Sequence, residues 1–266
     1  MQTAAIVLRS RSKLCPAVLR HLSSSLRALR DEPIFSAKCN KQAAVSEIGE
    51  TLKAQIQANY EERLFSYVAL IQGTEPPGLV PKLAVYRELT RQHSRHGVRL
   101  WEIEPLLHPL LFSVETDLHL ATARLLEDPR RADGSLFAFL DFCTKNRSNI
   151  TWKSGPPEVE VLEKQINELE ARRKTINAIM SRRDKFFAHL DKRYFKDPAR
   201  IYIDYPLDAD DVIGLVNAVI GVITEHQLEL KGSAAISVGE FYTIGIDNMV
   251  RNLETGRRKN FPGQLD

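Results

Sequence analysis

A chain of 266 residues with 43% hydrophobic and 27% charged side chains has the composition of a soluble globular protein, long enough for one large domain or two small ones. Cys15, Cys39 and Cys143 are the three cysteines. They are too few and too scattered for a disulfide framework or a zinc knuckle, and they fit a reducing, cytoplasmic compartment. The net charge of +3 is uneven: Arg9, Arg11, Lys13, Arg20, Arg27 and Arg30 give the first thirty residues +6, which leaves −3 for the remainder and excludes nucleic-acid binding driven by bulk charge.

Residues 1–40 are rich in Arg and Ser, with no acid before Asp31. This composition resembles an organellar transit peptide; a disordered basic arm and a start codon placed too far upstream are the alternatives. From Gln42 to Gln72 the apolar positions Val45, Ile48, Leu52, Ile56, Tyr60, Leu64, Tyr67 and Ile71 step by three and four. They predict a long amphipathic helix, closed by Gly73. A second helix is expected from Pro81 to Arg95, with a histidine-rich polar end. The most apolar helix is expected over Trp101–Glu127, with an irregular start where Pro105 and Pro109 crowd it. Ser135–Lys145 predicts a shorter one.

The stretch Pro157–Phe195 carries the longest pattern. Val159, Leu162, Ile166, Leu169, Arg173, Ile176, Met180, Arg183, Phe187 and Leu190 follow the three-four spacing of one helix with one seam. Arg173 can lay its stem on apolar surface and keep its head in water. Arg183, among aliphatic and aromatic neighbours, requires either a partner or a seam that opens into a site, because an unpaired inward charge costs several kcal/mol (order of magnitude). Beyond it, Ala199–Ile203 is a candidate extended segment. Asp208 is a candidate N-cap, with Leu207 and Val212 as its hydrophobic staple. Val212–Leu230 and Gly239–Glu254 predict the last two helices, followed by a polar tail over 256–266. The sum is an all-α bundle of six to seven helices occupying residues 41–255. No apolar run approaches the roughly 20 residues of a membrane span.

No Gly-rich phosphate loop, Gly-x-Ser-x-Gly elbow or clustered metal ligands occur in the chain, so neither a cofactor nor a metal is expected. The histidines remain. An arginine followed within a few residues by a histidine occurs at Arg87/His93, Arg91/His96, Arg182/His189 and Arg183/His189, so spacing alone selects nothing. Context selects the pairs ending at His189. There Ile179, Arg182, Phe186 and His189 form a stripe beside the seam, with Phe186 and Phe187 inside the motif. On an ideal helix Arg182 shares a face with His189, while Arg183 points about 120° away; both arginines stay candidates. The alternative is structural: a buried His189 satisfied by a neighbour, and an Arg183 paired with Asp184, Asp191 or a distant acid.

The run Arg183-Asp184-Lys185-Phe186-Phe187-Ala188-His189-Leu190-Asp191 resembles the signature of the HEPN superfamily, close to the branch associated with abortive phage infection, the Abi type U group. The stretch from Glu115 to Asp128, followed by Ser135-Leu136, is similar to that group too. The resemblance covers roughly residues 42–255. It implies a helical bundle that dimerises so that two copies of the motif face one cleft. It also implies a metal-independent endoribonuclease of a phage-defence or toxin–antitoxin system, with RNA and an antitoxin protein as partners. By the same resemblance Arg183 would hold phosphate, Asp184 would position the motif and His189 would be the acid/base. Some members serve instead as non-catalytic modules that bind protein or nucleic acid.

Overall fold

The computed structural model describes residues 34–73, 76–234, 239–261 and 263. The chain divides between Leu52 and Lys53 into two units. Of the first, the part from Ile34 onward is described and is helical, so residues 34–40 of the basic arm read over 1–40 belong to a helix, and its residues 1–33 lie outside the described residues. Every tertiary feature discussed below belongs to the second unit.

Among the described residues the chain is all-α. Eleven α-helices are joined by a 3-10 turn at Arg147–Asn149 and a π-turn at Arg183–Phe187. Where a strand would be sought there are only isolated bridge residues, among them the Trp152–Gly155 pair. The first helix, α1, runs Ile34–Gln72, starting earlier than the apolar pattern indicates. Its seam is realised from Ile56 on: Tyr60, Leu64, Tyr67 and Ile71 are buried, whereas Ile48 and Leu52 are exposed. α2 follows at Leu79–His96. The expected Trp101–Glu127 helix becomes α3 (Arg99–Ile103) and α4 (Leu107–Leu125). Pro105 supplies no amide between them, and Leu107 restarts the helix by donating to the Glu104 carbonyl at 3.0 Å.

α5 (Leu136–Lys145) matches expectation. The single helix expected over Pro157–Phe195 does not form. It is divided into α6 (Val159–Glu170), α7 (Arg173–Arg182), the π-turn and α8 (Lys192–Lys196). The first break has a local cause. The Arg172 guanidinium donates to the Glu168 carbonyl (2.8 Å), and the Arg172 amide bonds to Leu169 instead (3.0 Å). A side chain has entered the backbone ladder. The candidate extended segment is also corrected: Arg200–Asp204 is a helical turn, α9, tied by an Arg200–Asp204 ion pair at 3.0 Å.

α10 (Ala209–Lys231) starts as read, with Asp208 accepting the Asp210 amide at 2.8 Å. It ends on Gly232 at φ 72°, a left-handed C-cap that suits glycine. The last helix, α11, continues past the expected end at Glu254 to Asn260. α2 packs against α4, α10 and α11, while α7 packs against α4 and α10. α4 is therefore in contact with both α2 and the motif-bearing segment.

A polar chain crosses the core. Trp152 Nε1 donates to the Tyr60 hydroxyl (2.8 Å), which faces His226 Nδ1 (3.1 Å). His226 Nε2 faces Gln165 Oε1 (3.0 Å), and Gln165 Nε2 donates to Glu225 (2.6 Å). Indole is a donor only and a carboxylate an acceptor only, so each bond has one polarity: Tyr60 donates to Nδ1, and Nε2 carries the proton. His226 is locked neutral, and burial pushes its pKa down to about 3.

Candidate functional site

α7 brings the motif to α4. Ile176 and Ile179 enter the main core, and Arg182, at the end of α7, is 3% exposed. Its guanidinium makes three contacts. Nε donates to the Tyr205 carbonyl (2.9 Å), Nη1 pairs with Glu115 on α4 (3.1 Å), and the group lies over the Tyr202 ring at 4.7 Å. Burial pushes the Glu115 carboxyl up and the Arg182 guanidinium down, and their mutual attraction opposes both shifts. A pair of this kind holds its site mainly because breaking it strands a charge.

One turn along α4 from Glu115, His119 is fully buried, and neither ring nitrogen has a hydrogen-bond partner among the described residues. Its ring lies 6.3 Å from Phe187, which contacts Phe186 at 5.6 Å. Desolvation, with the Arg182 charge second, lowers its pKa to about 3. His119 thus forms a neutral floor beneath the aromatic part of the motif.

Past Arg182 the chain leaves α-helical geometry. The Ala188 amide donates to the Arg183 carbonyl at 2.7 Å, the i to i−5 bond of a π-turn, a form concentrated at functional sites. Asp191 caps α8 by accepting the Arg193 amide (2.9 Å), which fixes the far end of the turn. Within it, Lys185 Nζ bonds the Tyr205 hydroxyl and sits 4.7 Å from the ring centre. Lys185 is the main cause of the lowered phenol pKa of Tyr205.

Arg183, whose side chain is 16% exposed, pairs with Glu127, the second residue past α4, and with its neighbour Asp184 (Nε–Oδ1 2.6 Å). All three line a cleft of about 450 Å³, together with Asp128, Arg131 and Arg173. Arg173 does what snorkelling suggested: it pairs with Glu170 and lies over the Phe137 ring at 4.7 Å.

The candidate residues therefore divide into three environments. Arg183 and Asp184 meet in the cleft. Arg182 is buried on the opposite partner set and does not line it. His189 lies beyond the π-turn, exposed, with no partner for its imidazole among the described residues; it is not the buried histidine of the structural alternative. The helical-wheel comparison of the two arginines does not apply, because no α-helix joins them to His189.

The family model for AbiU2, a HEPN domain, matches residues 85–247, more than half of the chain. The chain belongs to the AbiU2 family of HEPN domains. The match begins in α2 and ends in α11, so the AbiU2 region contains α4, the cleft and the whole motif. Comparisons with curated proteins and with solved structures give no match. Sequence reasoning missed four residues that the structure places around the motif: Glu115, His119, Glu127 and Tyr205. The first three lie in the Glu115–Asp128 stretch singled out by its resemblance to the family. A search for acids and histidines at three-four spacing within it would have found Glu115 and His119. Among the described residues no group of three or more His, Cys, Asp or Glu is placed to hold a metal ion, and no helix is long and apolar enough to cross a membrane.

Proposed function

We propose that the protein is a metal-independent endoribonuclease of a phage-defence or toxin–antitoxin system, with a composite site built from two copies of the chain. One observation carries this reading: within a single motif Arg182 and Arg183 are each anchored, while the imidazole of His189 stands exposed and unpartnered on the turn they hold. An unencumbered imidazole on a fixed turn suits proton transfer to and from a bound substrate. In the proposed reaction the 2′-oxygen attacks phosphorus as its proton passes to the imidazole of one copy. The imidazolium of the other copy protonates the departing 5′-oxygen. Arg183 stabilises the charge gathering on the phosphoryl oxygens, and Asp184 positions Arg183. The products are a 2′,3′-cyclic phosphate and a 5′-hydroxyl. Leu190, Phe195 and Ile203, large apolar side chains exposed close to the motif in sequence, provide apolar surface for a second copy to cover.

The test is incubation of the purified protein with total RNA in excess chelator. The expected result is cleavage with cyclic-phosphate ends. No cleavage at any protein concentration, or products bearing 3′-hydroxyls, would sink the proposal. A second reading, a non-catalytic module binding a protein or nucleic-acid partner, is favoured by the two carboxylates that already neutralise Arg183. Expression separates the two. The nuclease reading expects the wild type to be toxic and His189→Ala to be harmless, with toxicity relieved by a cognate antitoxin.

A further inference from the structure

Away from the motif, four aromatic rings line up across the corner formed by α2, α3 and α4. His93 stacks on Trp101, with centroids 4.8 Å apart and planes 25° from parallel. Trp101 meets His108 edge-on at 5.0 Å, and His108 meets Phe112 at 5.0 Å. The row is held from beneath, where Trp101 packs on a small separate core of Leu89, Leu100, Leu107 and Val250. At its other end the rings face outward: His108 is exposed and Phe112 is 43% exposed. Neither imidazole has a hydrogen-bonding partner among the described residues. A cluster serving only to brace the corner would bury its rings; here two of the four, and the polar edges of both histidines, are left to a ligand.

The surrounding charge narrows that ligand. Arg95 is exposed at the end of α2 with no acid partner and Arg257 donates to the Ile103 carbonyl at the end of α3, but Glu102 and Glu104 lie on the segment between the rings, and Arg99 and Arg258 are paired with Glu254. A near-neutral patch is a poor track for a phosphate backbone. It suits the faces of unpaired bases, which stack on aromatic rings with little regard to sequence. Its position fits as well. Phe112 lies less than one turn before Glu115, the α4 carboxylate that anchors Arg182, so the row leads along α4 to the motif.

We infer that His93, Trp101, His108 and Phe112 form a stacking platform for the bases of single-stranded RNA, a second contact outside the cleft. This rests on the proposed RNA function, and the experiment keeps the two separable. Binding of a short unstructured RNA oligonucleotide is measured by fluorescence anisotropy, using the full chain with His189→Ala so that the probe survives. Adding His108→Ala and Phe112→Ala, both at exposed positions, is expected to weaken binding about tenfold or more. Phe112→Tyr should retain affinity, whereas Phe112→Leu, which keeps the apolar bulk and loses the ring, should not. Affinity for a duplex of the same length should not respond to these changes. An unchanged dissociation constant, an equal loss on duplex RNA, or no binding to the parent protein would each overturn the inference. If the wild type does not cleave RNA yet the ring variants lose single-strand binding, the nuclease reading fails and the platform stands. If cleavage occurs and binding ignores the rings, the platform alone fails.

Discussion

His189→Ala is expected to lower RNA cleavage by about 10²–10⁴-fold and leave the denaturation midpoint unchanged, while Arg182→Ala is expected to unfold the protein readily. The contrast follows from the two environments. His189 is exposed and holds nothing in place, and substitutions at such positions rarely move stability by more than about 0.5 kcal/mol. Arg182 is 3% exposed and bonded to Glu115, the Tyr205 carbonyl and the Tyr202 face. Its removal leaves the Glu115 carboxylate uncompensated in a site whose burial already disfavours charge, a loss of about 3–5 kcal/mol. Arg182→Lys should recover part of this, since an ammonium can pair with Glu115 but cannot at the same time span the carbonyl and lie flat on the ring. Replacing both partners, Arg182→Met with Glu115→Leu, should recover more than either single change. Urea denaturation of the four variants decides the matter. A wild-type midpoint for Arg182→Ala would show that the pair anchors nothing, and full cleavage by His189→Ala would remove the acid/base.

The core of this fold was legible because it obeys a period. Leu162, Leu169 and Ile176 fall on the predicted seam and are buried, and so are Tyr60, Leu64, Tyr67 and Ile71 on theirs. The motif was legible in composition and not in shape. The three-four pattern continued through Arg183, Phe187 and Leu190, yet the helix ends at Arg182, and Leu190 is exposed. No proline or glycine marks that end. The available local signal was Asp191, a good N-cap ahead of α8, which implies that the chain has left the previous helix before it. The assignment of Arg182 could not be read at all. Its partner is 67 residues away, and the chain has 34 acidic residues from which a pattern cannot choose. Ala199–Ile203 failed for a related reason: Ile201, Tyr202 and Ile203 favour extended backbone, but the Arg200–Asp204 pair and the burial of Ile201 select a helical turn. The aromatic row crosses three helices, so no periodicity in the sequence announces it.

Stability is expected to fall steeply as the pH drops from about 6.5 towards 4.5, before ordinary carboxylates titrate. His119 and His226 are both fully buried, and burial holds both pKa values down to about 3. The unfolded chain takes up two protons near pH 6.5 that the folded chain refuses until far lower. The contribution of neutral burial is therefore complete above the unfolded pKa and is lost as the pH falls through this window. Each histidine contributes a slope of about 1.4 kcal/mol per pH unit, and the two together about 2.7. Glu115 opposes them, because burial raises its carboxyl and the folded state binds that proton first, so the two-histidine slope is an upper value. The carboxyls lowered by pairing, Asp128, Asp247 and Glu170, add to the loss only below about pH 4.5. The two imidazoles are distinguished by what their removal leaves behind. His119→Leu deletes two unpaired nitrogens; it should cost little at pH 7.5 and remove about half of the slope. His226→Leu should remove the other half, but at a cost of about 1–3 kcal/mol at pH 7.5, because the Tyr60 hydroxyl and the Gln165 carbonyl lose their partner. Unfolding free energies between pH 7.5 and 4.5 measure both effects. A flat profile in the wild type, or a slope that survives both substitutions, would show that neither histidine is held neutral by the fold.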